Sequence, residues 1–80
     1  MKDAIRMKPE EYDVVQLLRP LPEHNLPAGA RGAVVIDYTT DADKSLPPAY
    51  EVEFTDGHGV TLAVVTVYEE DLQVVSRSHS

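Results

Sequence analysis

The stretch Tyr50-Glu51-Val52-Glu53-Phe54 decides the fold. Apolar and acidic side chains alternate with a period of two, so Tyr50, Val52 and Phe54 share one face of a strand and Glu51 and Glu53 share the other. Asp56-Gly57-His58-Gly59 follows as a turn signal, and Asp-Gly suits the positive φ angles of a tight hairpin. Residues 60–67, Val-Thr-Leu-Ala-Val-Val-Thr-Val, supply the returning strand.

Further strands lie on both sides of this hairpin. Upstream, Ala33-Val34-Val35-Ile36-Asp37-Tyr38 reads as a strand entered through the turn Gly29-Ala30-Arg31-Gly32. Before that, Asp13-Val14-Val15-Gln16-Leu17-Leu18-Arg19 is a strand ended by Pro20, with Val15 and Leu17 facing inward. Pro20, Pro22 and Pro27 make residues 20–29 a stiff loop that cannot extend a ladder, with Leu26 tucked under the core as a plug. Residues 39–48 read as a polar exposed loop closed by Pro47-Pro48. Downstream, Tyr68-Glu69-Glu70-Asp71 suits one 3₁₀ turn before a short last strand, Leu72-Gln73-Val74-Val75. The expected fold is therefore all-β, a small five-stranded SH3-like β-barrel with one 3₁₀ turn before the last strand. Closing the sheet would hide its edges. The expected organisation is a flexible N-terminal segment over 1–11, the barrel domain over 12–75 and a disordered tail over 76–80.

Eighty residues hold one core at most. The absence of cysteine excludes disulfides, thiolate catalysis and cysteine-ligated zinc. With 14 acidic residues against 7 basic ones the formal net charge is −7, which repels polyanions. Lys2, Arg6, Lys8, Arg19, Arg31, Lys44 and Arg77 are scattered among acids and form no run, so nucleic acid and anionic lipid are disfavoured partners. The first residues carry no apolar run and no stretch has the length of a membrane span, so the expected location is the cytoplasm.

Several residues invite a chemical reading. Glu51 and Glu53 stand two apart on a strand, roughly 6.5–7 Å between Cα atoms. A glycosidase pair would need a deep cleft around them, which a barrel this small lacks. They are read instead as a solvated acidic face, or as cross-strand partners of Arg31 or Arg19. His24, His58 and His79 lack metal-ligand spacing, no serine sits in a nucleophile turn, and Asp41-Ala42-Asp43 lacks the rest of a calcium loop. No catalytic residue, cofactor or metal is expected. Gly29 and Gly32 are assigned to positive φ or close backbone approach, not to a phosphate or ribosome contact.

Two strands break the alternation. Residues 60–67 carry apolar side chains on both faces, and so does the second strand, with Val34 and Ile36 on one face and Val35 on the other. Either the loops 20–29 and 39–48 cover the outside or another chain does. A partner is the reading adopted, with Val35, Leu62, Val64, Glu51 and Glu53 as the candidate interaction surface.

Asp13-x-Val15-x-Leu17, Leu26-x-x-Gly29-x-x-Gly32-x-Val34-Val35, Tyr50-Glu51-Val52-Glu53-Phe54, Asp56 to Gly59, Thr61-x-Ala63 and Leu72 together resemble a bacterial family of small stand-alone proteins catalogued as a domain of unknown function. The resemblance spans about residues 12–75 and implies an SH3-like barrel, distantly similar to those of the nitrile hydratase β-subunit and KOW-type modules. It brings no activity to carry over. The loop 39–48 is longer than that family suggests, and residues 1–11 and 76–80 lie outside it. The expected function is a non-catalytic protein-interaction module, in one version an antitoxin- or immunity-like partner of a basic protein. The alternatives are an accessory subunit or chaperone of an enzyme and, less favoured by charge, an RNA-contacting module. A homodimer is compatible with the first two.

Overall fold

The computed structural model describes residues 7–39 and 46–77. Five strands form: β1 (Val14–Leu17), β2 (Arg31–Asp37), β3 (Ala49–Thr55), β4 (Thr61–Tyr68) and β5 (Leu72–Ser76). They make one antiparallel sheet in the order β4-β3-β2-β1-β5. A 3₁₀ turn, Glu69–Asp71, joins β4 to β5 as expected. A second one, Pro22–His24, lies inside the proline-rich loop that the sequence presents only as stiff. The all-β class therefore stands. β4 and β5 bound the sheet, and no ladder joins them among the described residues.

The inner face is the alternating set. Val15, Leu17, Val34, Tyr50, Val52, Phe54, Val67 and Leu72 are all buried. Leu21 and Leu26 close one end of this core, paired to each other across the Pro22–His24 turn, so Leu26 is the plug its position suggests. That loop caps the core, and Ile36, Leu62 and Val64 remain exposed. The covering role considered for the loop 39–48 falls largely on residues 40–45, outside the described residues, as do 1–6 and 78–80.

Three β-bulges interrupt the ladders. The register passes from Val34↔Val52 to Ile36↔Glu51, leaving Val35 as the extra residue. It passes from Phe54↔Ala63 to Thr55↔Thr61, leaving Leu62 extra, and from Val15↔Val74 to Val14↔Ser76, leaving Val75 extra. Each bulge shifts the alternation by one. Ile36 consequently does not share the face of Val34: Val34 is fully buried, whereas Ile36 is 44% exposed beside Glu51. The hairpin turn also differs in detail. Positive φ falls on Gly59 (+83°), and Gly57 is not among the positive-φ residues. The Asp56 carboxylate holds the turn by accepting from the His58 N–H at 2.7 Å and the Val60 N–H at 3.0 Å.

Candidate interaction surface

The outer face of β2, β3 and β4 brings together the residues singled out in the sequence. In register, Ile36, Glu51 and Thr66 form one row, and Ala33, Glu53 and Val64 form the next. Leu62 is 58% exposed and Val64 51% exposed, on an eight-residue strand with partners on one side alone. Val35, at its bulge, is half-buried and contributes less surface.

Glu51 and Glu53 find partners, but not the arginines expected. The Glu51 Oε1 accepts from the Thr66 hydroxyl at 2.6 Å and the Tyr38 hydroxyl at 3.3 Å, and Glu53 Oε2 accepts from the Thr61 hydroxyl. Arg19 is drawn instead to Asp71, with Nε 2.9 Å from Oδ1. Arg31 and Glu53 line a shallow groove of about 170 Å³ with Val14, Gly32, Ala33 and Thr55, and no ion pair closes across it among the described residues. The two carboxylates are thus oriented by neutral hydroxyls, and no ion pair engages either among the described residues. The hydroxyl of Tyr38 is raised above its ordinary pKa, first by desolvation and then by the neighbouring Glu51.

A second concavity lies beyond the end of β4. Met7, Lys8, Pro47, Pro48, Tyr68, Glu69, Glu70 and Leu72 line a cavity of about 390 Å³. At its rim the Lys8 ammonium donates to Thr39 Oγ1 at 2.8 Å and to the Tyr50 hydroxyl at 3.3 Å, and it stands 5.6 Å from the centroid of the Tyr50 ring. The Tyr50 hydroxyl donates to Glu69 Oε1 at 2.6 Å, and Thr39 donates to Asp37. Nothing in the sequence points to this chain of contacts, because Lys8 and Tyr50 are 42 positions apart.

Burial, followed by the Glu69 carboxylate, pushes the Tyr50 phenol well above its ordinary pKa of 10. A raised folded-state pKa contributes stability that is complete below pH 10 and declines as the unfolded chain ionises above it. We expect urea-unfolding free energy to fall by up to about 1.4 kcal/mol per pH unit above pH 10 on account of this residue. Tyr50→Phe should lose that share of the alkaline slope, and an unchanged slope would contradict the assignment.

The two described histidines lie in separate elements. His24 sits in the first 3₁₀ turn and His58 in the β3–β4 turn, both exposed, and His79 lies outside the described residues. Among the described residues no three His, Asp or Glu side chains are placed to hold a metal, and no helix is long and apolar enough to cross a membrane.

Fold and face together define a small, acidic, single-sheet antiparallel β module. The chain belongs to the family described as Domain of unknown function (DUF4926), whose model matches residues 11–74. No curated protein and no solved structure matches the chain.

Proposed function

We propose that this protein is a non-catalytic protein-interaction module of the bacterial cytoplasm that docks a basic protein on the outer face of β2, β3 and β4. In this reading the sheet is the wall of a five-stranded SH3-like barrel. Its support is the strand order, the 3₁₀ turn between β4 and β5, and a core drawing on all five strands. One observation carries the docking role: Glu51 and Glu53 accept from hydroxyls, with no ion pair to either among the described residues, and Ile36, Leu62 and Val64 stand exposed on the neighbouring strands. Carboxylates outside any ion pair steer a cationic surface, and the apolar side chains give it area to bury.

The test begins by isolating the protein's partner from its own cells and remeasuring the pair in purified form. The expected partner carries net positive charge, and its affinity falls by about tenfold or more between low salt and about 0.3 M salt. Glu51→Gln combined with Glu53→Gln should weaken binding by a similar factor while leaving the unfolding midpoint within a few degrees, since the amides keep an acceptor for the neighbouring hydroxyls and no ion pair is lost among the described residues. A stoichiometric complex indifferent to salt and to these substitutions would overturn the reading and favour an accessory-subunit role.

A further inference from the structure

We infer that β4 is a dimerisation edge, pairing antiparallel with the β4 of a second copy of this chain across a two-fold axis. This stands apart from the docking of a basic protein, because it uses the backbone edge of β4 and not the carboxylates of β3.

β4 ends the sheet, so one row of its N–H and C=O groups has no strand partner among the described residues. Eight residues at about 3.3 Å each make an edge of about 26 Å, most of the molecule's 31–34 Å extent. Edge strands are normally blunted with lysine, proline, inward charges or short length. Thr-Leu-Ala-Val-Val-Thr-Val-Tyr contains no charge, no proline and no glycine, and its one irregularity is the bulge at Leu62. Exposed apolar surface also gathers here, with Val60 59%, Leu62 58%, Val64 51% and Tyr68 49% exposed.

Charge selects the occupant. The chain carries −7, so most surfaces of two copies repel each other. Residues 59–68 are uncharged, and antiparallel self-pairing sets this neutral strand against itself with no carboxylate opposite a carboxylate within it. A two-fold axis also closes the assembly at two copies, because pairing consumes both free β4 edges. The competing edge, β5, has five residues and runs into Arg77, which is engaged with Glu10 and Asp13.

The experiment is sedimentation equilibrium of the full chain over a concentration series, at low salt and at about 0.3 M salt. The expected result is a monomer–dimer equilibrium that tightens severalfold as salt rises, since screening relieves repulsion between two acidic bodies. Binding to a basic partner has the opposite salt dependence, so the two ideas fail separately. Val64→Lys, which places on the edge the charge it lacks, should weaken the dimer about tenfold or more. Glu51→Gln with Glu53→Gln should leave it intact. Thr66→Lys replaces Val64→Lys if that variant fails to fold. A chain that stays monomeric to about millimolar concentration at high salt overturns the inference. So does a dimer indifferent to the lysine.

Discussion

Gly32→Ala should come close to unfolding this protein. Gly32 is buried in β2, opposite Phe54 of β3 on one side and Val15 of β1 on the other. A Cβ added there would stand 2.5 Å from the Glu53 carbonyl oxygen, 2.8 Å from Val52 Cγ1 and 3.0 Å from the Glu53 carbonyl carbon. Two of those three atoms are backbone of β3, so no side-chain rotation relieves the overlap. The strands have to part at the middle of the sheet. Overpacking of this kind costs about 1–3 kcal/mol, and each ladder hydrogen bond stretched with it adds about 1 kcal/mol. With one or two such bonds the sum, about 2–5 kcal/mol, is a large share of the roughly 4–12 kcal/mol that an 80-residue chain commands at 0.05–0.15 kcal/mol per residue. Thermal unfolding followed by circular dichroism should show Tm lowered by about 15 °C or more. Gly29→Ala is the informative contrast. Its φ of +87° is unfavourable for alanine, but the space around it is open, so the cost should be about 1 kcal/mol. Equal effects at the two positions would show that close approach is not what Gly32 provides.

How much of this was legible in advance depends on the range of the interaction. Strand positions rest on local alternation and turn chemistry, and Tyr50-Glu51-Val52-Glu53-Phe54 reads correctly because every second side chain meets the same neighbours. Val15, Leu17 and Leu26 follow from the same logic. A bulge defeats it. In Val34-Val35-Ile36 the letters are equally apolar whether Ile36 faces in or out, and only the pairing with β3 reveals that Val35 is the extra residue. Within the candidate face, the position of Glu51 and Glu53 was readable, but their hydroxyl partners were not. Thr66 reaches Glu51 from β4 and Tyr38 from the turn that follows β2, and a guanidinium fits the letters equally well until the register is known. The cavity beyond β4 left no trace at all, since Lys8 reaches it from a segment without periodicity.

The same holds for the contact expected to matter second most, and Asp13→Ala tests it. Asp13 immediately precedes β1 and is 1% exposed. Its carboxylate accepts from the Glu10 N–H at 2.9 Å and lies 3.5 Å from Nη2 of Arg77, 64 positions later. Arg77 also places Nη1 3.1 Å from Glu10 Oε2 and donates from Nη2 to the Lys8 carbonyl at 3.0 Å. Main-chain bonds continue the tie, with the Tyr12 N–H donating to the Val34 carbonyl at 2.6 Å and the Val34 N–H donating to the Asp13 carbonyl at 3.0 Å. Asp13 thus joins three segments: its carboxylate ties the segment entering β1 to the chain leaving β5, and its carbonyl ties it to the centre of β2. Arg77 already has a buried Nε without a hydrogen-bond partner. Among the described residues, removing Asp13 would leave that guanidinium with only the exposed Glu10 carboxylate as counter-charge. Breaking a fully buried pair costs 3–5 kcal/mol, and the partial exposure of Arg77 brings the expectation down to about 2–4 kcal/mol. Asp13→Asn keeps an acceptor for Glu10 N–H and should cost roughly half as much. Amide exchange should report a local consequence too, with residues 8–12 losing protection before the sheet does, because Lys8 and Glu10 are held through Arg77. A double-mutant cycle with Arg77→Ala decides whether the charge pair is the cause. If Asp13→Ala is equally costly with and without Arg77, the carboxylate acts through contacts other than Arg77, such as the Glu10 N–H, and its pairing with Arg77 contributes nothing.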